Sequence, residues 1–310
     1  MPTRAVIDIG TNSVKLLVAD VAGGAVDPLY EGSEQTRLGA GFYETHHLSA
    51  DAIQKTAEAV RAFVEDANRF SPVSLQIIAT SAARDAVNQR DLLEAIHREA
   101  GQPLLVISGE READWAFAGV ATDPRLAESS LLVVDIGGGS CEFIIGARGI
   151  RKAGRSFQVG SVRLLEKFKP SDPPTEIERE ECLGWLRAFF SAEIQPFVKE
   201  NSNDAPAILV STGGTASILG RMKWKLASYD RKKIESTVLT AGELAQTTQQ
   251  LWSMRLDERR RIPGLPASRA DVIIMGVSIL QTAAETLNFA EARVSARGLR
   301  YGALLHAAET

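Results

Sequence analysis

Two stretches of this chain share one pattern of apolar and polar positions. In the first, Val6-Ile7-Asp8-Ile9-Gly10 leads into Thr11-Asn12-Ser13, and an apolar run with Lys15 inside it follows over 14–18. In the second, Val133-Val134-Asp135-Ile136-Gly137 leads into Gly138-Gly139-Ser140, and apolar residues resume at 143–145. Runs rich in β-branched residues, bounded by glycine and small polar residues, predict strand, tight turn and return strand. The pattern therefore predicts two hairpins, each able to aim a small loop at phosphate.

Elsewhere the period changes. Residues 25–36 read as a third strand after the Gly23-Gly24 turn. Residues 49–69 read as a helix, with Ser49 as N-cap and Ile53, Ala57, Val60, Phe63 and Val64 as its apolar stripe. A short buried strand is predicted at 75–79, helices at 82–87 and 89–100, and a strand at 103–107. Ser108 opens a helix to about 121. Strands are predicted at 131–136, 142–147, 150–159, 209–211 and 294–296. Helices are predicted at 160–168, 175–200, after 215, at 240–252 and 266–286, and over 298–308. Alternation of strands and helices predicts an α/β fold. The repeated Asp-Ile-Gly hairpin suggests two halves of one design, facing each other across a cleft.

The loops carry the candidate chemistry. Runs of Gly, Thr and Ser let backbone N–H groups converge on one anion, because glycine removes the Cβ that blocks close approach. Gly137-Gly138-Gly139-Ser140 and Gly213-Gly214-Thr215 qualify. Neither is a P-loop, and no Gly-x-Gly-x-x-Gly opens a helix after a strand, which disfavours a dinucleotide site. Asp8 and Asp135 end strands, where a carboxylate holds magnesium or water. Capping of the turn by backbone N–H groups is the alternative, and it stays open for Asp8. Glu142 is in reach of Asp135 across its hairpin, which favours a metal there. Glu110 and Glu112 both lie in the first turn of a helix, where one of them answers the helix dipole and the other can serve as a base. Arg37 and Arg84 follow small polar residues in loops and become candidates for phosphate contacts.

Composition narrows the classes. With 45% hydrophobic and 24% charged residues the chain reads as a globular protein. No apolar run reaches the roughly 20 residues of a membrane span, and no signal-peptide pattern opens the chain, so a cytoplasmic protein without membrane contact is expected. Two cysteines and four histidines make neither a disulfide framework nor a zinc cage. A formal charge of −4 disfavours nucleic acid as a partner. The basic stretches 221–225, 231–233 and 255–261 read as solvated faces, with a polyanion track as the lesser reading.

Taken together, these residues are similar to the exopolyphosphatase and guanosine pentaphosphate phosphatase family, within the actin-like phosphate-binding superfamily. The motifs that carry the resemblance are Asp8-Ile-Gly-Thr-Asn-Ser13, Ala79-Thr-Ser-Ala-Ala-Arg84, Ser108-Gly-Glu-Arg-Glu-Ala113, Asp135-Ile-Gly-Gly-Gly-Ser-Cys-Glu142, Gly160-Ser-Val-Arg163, Thr212-Gly-Gly-Thr215 and Gly298-Leu-Arg-Tyr-Gly302. The resemblance implies two actin-like (ribonuclease H-like) domains, 1–120 with 298–310 and 121–297. It implies water attack on a terminal phosphoanhydride, with Mg²⁺ as cofactor and Mn²⁺ as the alternative ion. Glu112 matches the general base. Asp135 and Glu142 match magnesium-associated carboxylates. Asn12, Ser13, Arg84, Gly137 to Ser140 and Thr215 match phosphate contacts. The implied partners are inorganic polyphosphate or guanosine penta- and tetraphosphate, and a homodimer is compatible with the chain. A sensor that binds nucleotide without turnover and a sugar or acetate kinase are the readings from other classes. Cys141 and Tyr301 depart from the family pattern, where Thr and Glu are usual. The chain also ends before the helical C-terminal domain of longer members, which lowers the expectation of processive action on long chains.

Overall fold

In the computed structural model, which describes residues 1–202 and 206–306, the first Asp-Ile-Gly hairpin lies at the middle of a five-stranded sheet. Strands β1 (Thr3–Ile9), β2 (Val14–Ala22) and β3 (Ala25–Glu34) form an antiparallel meander. Strands β4 (Ser74–Ala79) and β5 (Leu104–Val106) join β1 in parallel, giving the order β3-β2-β1-β4-β5. Both faces are covered, which is why the strands read as unbroken apolar runs. Ile7, Ile9, Leu16 and Ile77 pack with the helices Ala50–Asn68 and Gln89–Ala100. Val6, Leu17 and Ile78 pack with Trp115, Tyr301 and Leu304. Ser49 caps its helix as expected, accepting from the Ala52 N–H at 3.2 Å.

These residues belong to a compact unit made of Met1–Pro124 and the chain from Arg297 onward. The closing helix forms over Leu299–His306, one residue after its expected start, and positions 307 and 308 of its expected span lie outside the described residues. It crosses the helix Gly109–Ala121 backbone against backbone. A Cβ on Gly302 would overlap the Trp115 carbonyl oxygen, and one on Gly119 would overlap that of Gly298. Neither neighbour is a flexible side-chain tip, so one helix must move. Gly302→Ala is expected to cost about 1–3 kcal/mol, as overpacking does, read from the urea unfolding midpoint.

The second unit, Arg125–Ala296, repeats the design. Strands β6 (Ser130–Ile136), β7 (Cys141–Ala147) and β8 (Ile150–Phe157) are the antiparallel meander, and β9 (Ile208–Thr212) lies parallel to β6. Strand β10 (Val238–Thr240) pairs antiparallel with β11 (Glu291–Val294), which lies parallel to β9. The order is β10-β11-β9-β6-β7-β8, so all but β10 repeat the first sheet's directions and order. The helix Ile273–Thr286 is buried along most of its length in this unit's core.

Several expectations shift. The single helix expected over 175–200 is three pieces: Glu176–Phe189, a π turn Phe190–Ile194, and Gln195–Asn201. Pro196 has no N–H to give to the preceding turn, and the Gln195 N–H reaches back to the Phe190 carbonyl in a wider loop. The helix expected from 266 begins at Ile273, after a short turn Ala267–Arg269. The Asp271 carboxylate accepts the Val272 N–H at 2.9 Å, a local bond that competes with the helix. The last strand lies at Glu291–Val294 rather than 294–296, because Ala292 and Val294 are its only buried positions. The three-residue β10 and the short helices Arg231–Glu235 and Leu256–Arg259 are too brief to leave a period.

The helix Glu176–Phe189 opens with a reciprocal cap. Thr175 accepts the Glu178 N–H at 3.2 Å, and Glu178 accepts the Thr175 N–H at 2.7 Å. With Ser171 bonds added, these hold the Glu178 carboxyl near a pKa of about 2, down from 4.5. A lowered carboxylate stabilises the fold above its unfolded pKa and loses that contribution as pH falls toward its folded one. Glu178→Ala is expected to cost about 1 kcal/mol at pH 7. In melting temperature against pH, the gap to the unsubstituted protein should close between 4.5 and about 2.

Candidate active site

In the first unit, Gly10 and Ser13 close the hairpin through the Gly10 N–H and the Ser13 carbonyl at 3.0 Å. The next segment folds back on the loop. Arg37 N donates to the Asn12 carbonyl at 3.1 Å, and Gly39 N donates to the Thr11 carbonyl at 2.8 Å. Loop carbonyls are thereby used, while among the described residues no backbone carbonyl accepts from the amides of Thr11 and Asn12. The Asn12 side-chain oxygen accepts from Gln35 Nε2 at 3.0 Å, which turns its amide nitrogen elsewhere. That nitrogen is buried without a partner, a donor ready for an anion. Arg37 itself is exposed and takes a left-handed φ of 54°.

Asp8 stands beside this loop at the end of β1, paired with Lys15 on β2 and Ile78 on β4. Its Oδ1 is enclosed and accepts no hydrogen bond. Burial pushes its carboxyl pKa up, against the pull of Lys15 and Arg300. The cap that a turn would offer Oδ1 is absent here.

The strands β4 and β5 bring in the third element. Thr80 N donates to the Ile9 carbonyl at 3.2 Å, and Ile107 N donates to the Ala79 carbonyl at 3.0 Å. Arg84 then spans both segments through Nη1, which donates to the Ile107 carbonyl and to Glu112 Oε2, each at 3.0 Å. Ser108 caps the helix Gly109–Ala121 by accepting the Arg111 N–H at 3.2 Å. Its first turn separates the two glutamates: Glu110 is exposed, while Glu112 is 7% exposed. The buried member is the one that Arg84 holds.

In the second unit, the glycine loop closes the same way, with Gly137 N donating to the Ser140 carbonyl at 3.0 Å. The helix Ser161–Phe168 takes up its carbonyls. Ser161 N donates to Gly137 at 3.0 Å, Val162 N to Gly138 at 2.8 Å, and Arg163 Nε to Gly139 at 2.8 Å. No backbone carbonyl among the described residues accepts from the amides of Gly138, Gly139 and Ser140. A Cβ at Gly160 would meet the Gly138 and Gly139 backbone, so this close approach requires glycine there. Gly213 has φ +88°, and a Cβ on it would overlap Asp135 Oδ1. Gly213 and Gly214 open the helix Gly213–Lys223. Thr215 is buried with its hydroxyl against Gly276, so that hydroxyl faces a neighbouring helix. Glu142 is buried and accepts hydroxyl bonds from Ser140 and Ser156.

The first unit thus brings Asp8, Thr11, Asn12, Ser13, Arg37, Arg84 and Glu112 into one network of strand ends. The second gathers Asp135, Gly137 to Ser140, Glu142 and Gly213. Sequence reasoning passed over Gln35, which orients Asn12, and Ser156. Ser81 was quoted only within a motif, yet its hydroxyl is buried without a partner at the start of the helix Ser81–Asp85. Thiol chemistry is excluded at Cys182, where burial pushes the pKa up to about 12 and the sulfur sits 3.8 Å from Met275 Sδ. Cys141 is buried in the core of the second unit.

Among the described residues no three His, Cys, Asp or Glu side chains cluster as a metal cage. Magnesium does not ask for one, since it is held by one or two carboxylates with water and substrate phosphate. The orphaned Asp8 Oδ1 fits such a donor.

The Ppx/GppA phosphatase family matches the chain over residues 17–310. Exopolyphosphatase 2 of Mycobacterium tuberculosis is 31% identical over 293 residues, which cover 91% of this chain and 90% of that protein. The guanosine-5'-triphosphate,3'-diphosphate pyrophosphatase of Vibrio parahaemolyticus is 30% identical over 301 residues, covering 97% of this chain and 58% of that protein. Among solved structures, the Aquifex aeolicus Ppx/GppA family member has a TM-score of 0.81 at 30% identity, covering 99% of this chain and 98% of that one. A duplicated sheet of the actin-like type agrees with that likeness along both units. By a match that begins inside β2 and runs on through every later motif, the chain belongs to the Ppx/GppA phosphatase family.

Proposed function

We propose that this chain releases the terminal phosphate of inorganic polyphosphate by attack of water, with Glu112 as the base. Family membership makes it a phosphoanhydride hydrolase. Polyphosphate is the substrate proposed because the Mycobacterium tuberculosis relative is named an exopolyphosphatase, and guanosine pentaphosphate is the alternative.

The observation that carries the mechanism is the buried Glu112 carboxylate held at 3.0 Å by Arg84. The neighbouring guanidinium favours the ionised form that a base must have, and fixes Oε2 in direction. Glu112 takes the proton of water as the water attacks. The amides of Thr11 and Asn12, the Asn12 side-chain nitrogen, and the amides of Gly138 to Ser140 suit phosphoryl oxygens, since among the described residues the amides meet no backbone acceptor and the side-chain nitrogen no partner. Arg84 spends Nη1 on Glu112, so its first role is to hold the base. Membership in the family implies a divalent cation, and Mg²⁺ is the ion proposed, with Mn²⁺ as substitute. Asp8 in the first unit or Asp135 in the second is the carboxylate proposed to serve it. When bound it neutralises charge that builds on the phosphoryl oxygens.

The test is phosphate release from short polyphosphate, long polyphosphate and guanosine pentaphosphate, each with and without Mg²⁺. Magnesium-dependent release from polyphosphate without ADP is expected. Release from guanosine pentaphosphate alone would reassign the substrate, and binding of either without release would make the protein a sensor.

A further inference from the structure

Beneath the glycine loop of the second unit, the sheet carries a row of polar side chains. Register pairs Thr212 on β9 with Asp135 on β6, Asp135 with Glu142 on β7, and Glu142 with Ser156 on β8. Directly opposed residues share one face of a sheet, so these side chains form a line across neighbouring strands. Glu142 is only 1% exposed. The Ser140 and Ser156 hydroxyls both bond the same carboxyl oxygen, Oε1, at 2.8 and 2.7 Å.

A hydroxyl has one proton to donate and lone pairs to accept with. A carboxyl oxygen has two lone pairs, so Oε1 accepts from both hydroxyls at once. Both bonds have the length of a well-formed O–H···O contact. Both serine protons are then committed to Glu142, and lone pairs are what Ser140 Oγ turns to any other neighbour.

We propose that Glu142 is a positioning residue that sets the polarity of Ser140. With its proton held, Ser140 Oγ offers a lone pair to an electron-poor partner, the divalent cation or a water it carries, and does not donate to a phosphoryl oxygen. The inference rests on the reading of loop 137–140 as part of the hydrolytic site. Ser156 is the second hydroxyl of the same clamp, steadying Glu142 from the next strand. Phosphate is then gripped by the loop's amides rather than by the Ser140 hydroxyl. Glu142 acts on the cation through Ser140, whose proton its Oε1 holds.

The experiment compares Ser140→Ala, Glu142→Gln, Glu142→Ala and Ser156→Ala. It measures kcat and KM on short polyphosphate, and Mn²⁺ binding by electron paramagnetic resonance without substrate. The glutamine carbonyl still accepts two hydroxyls, so Glu142→Gln should stay within about threefold of the original kcat, while Glu142→Ala loses about 100-fold. Ser156→Ala should lower kcat about tenfold at unchanged KM. Mn²⁺ binding should weaken about tenfold in Ser140→Ala and be unchanged in Glu142→Gln. A Glu142→Gln protein as slow as Glu142→Ala, with weakened Mn²⁺ binding, would overturn the proposal by making Glu142 a direct ligand. Should Glu142→Ala fail to fold, full turnover in Ser156→Ala would overturn it alone. Full turnover in Ser140→Ala would overturn the proposal by taking the hydroxyl out of the reaction, while the loop's amides, and with them the hydrolytic reading of the site, would stand.

Discussion

Glu112→Gln should lower kcat for phosphate release by about 10²–10⁴-fold, the usual contribution of a placed base, with KM near its original value. Glutamine keeps the shape of the side chain and a carbonyl oxygen that can accept from Arg84 Nη1. The bond now seen at 3.0 Å therefore survives in weaker form, and the helix Gly109–Ala121 keeps its seat. Stability should change by about 1 kcal/mol or less, the scale of one ordinary hydrogen bond. What disappears is the capacity to take a proton. Steady-state kinetics across pH, with urea unfolding of the same samples, separates the two effects. Activity should fall at every pH. Turnover like that of the unsubstituted protein would remove Glu112 from the mechanism. Exposed Glu110 supplies the control, because Glu110→Gln should leave both kcat and stability where they were.

How much of this was legible follows from the length of each signal. The two Asp-Ile-Gly hairpins were plain because both faces of each sheet are covered, which made long apolar runs broken only at the loops. The helix Ala50–Asn68 was plain because its cap and its stripe agree. Strand β10 was not, since three residues carry no period, and the π turn was not, since it follows from one missing N–H at Pro196 within an unbroken apolar stripe. At the site, residue types near the loops were readable, but their division of labour was not. Arg84 read as a phosphate contact, whereas its bond to Glu112 spans residues far apart in sequence. Thr215 read as a phosphate contact too, yet its hydroxyl packs against Gly276 on another helix. Ser156 carried no signal at all, because it lies on a strand of mixed polarity and its function exists only through cross-strand register with Glu142.

Asp8→Asn should move stability and activity in opposite directions. Oδ1 of Asp8 is enclosed without a donor, and burial raises the carboxyl pKa despite Lys15 and Arg300. An unmatched buried polar group costs about 1–3 kcal/mol, and more when charged. Asparagine has nearly the same shape and stays polar, but it carries no charge to desolvate, so without divalent cation the variant should be the more stable of the two. Ligands that bind only the folded state stabilise it by mass action. The unsubstituted protein should therefore gain stability as Mg²⁺ is added, and Asp8→Asn should gain less. Its kcat should fall by about 10²-fold or more, the scale of damage to a metal's surroundings. Thermal melts with and without Mg²⁺, set beside phosphate release, read both quantities. A carboxylate that merely capped the turn would give the reverse sign: loss of the cap lowers stability by about 1 kcal/mol, with no dependence on Mg²⁺. That result would return Asp8 to a structural part, whereas a more stable and nearly inactive protein would mean that the strand end keeps an unfavourable charge for the sake of the cation.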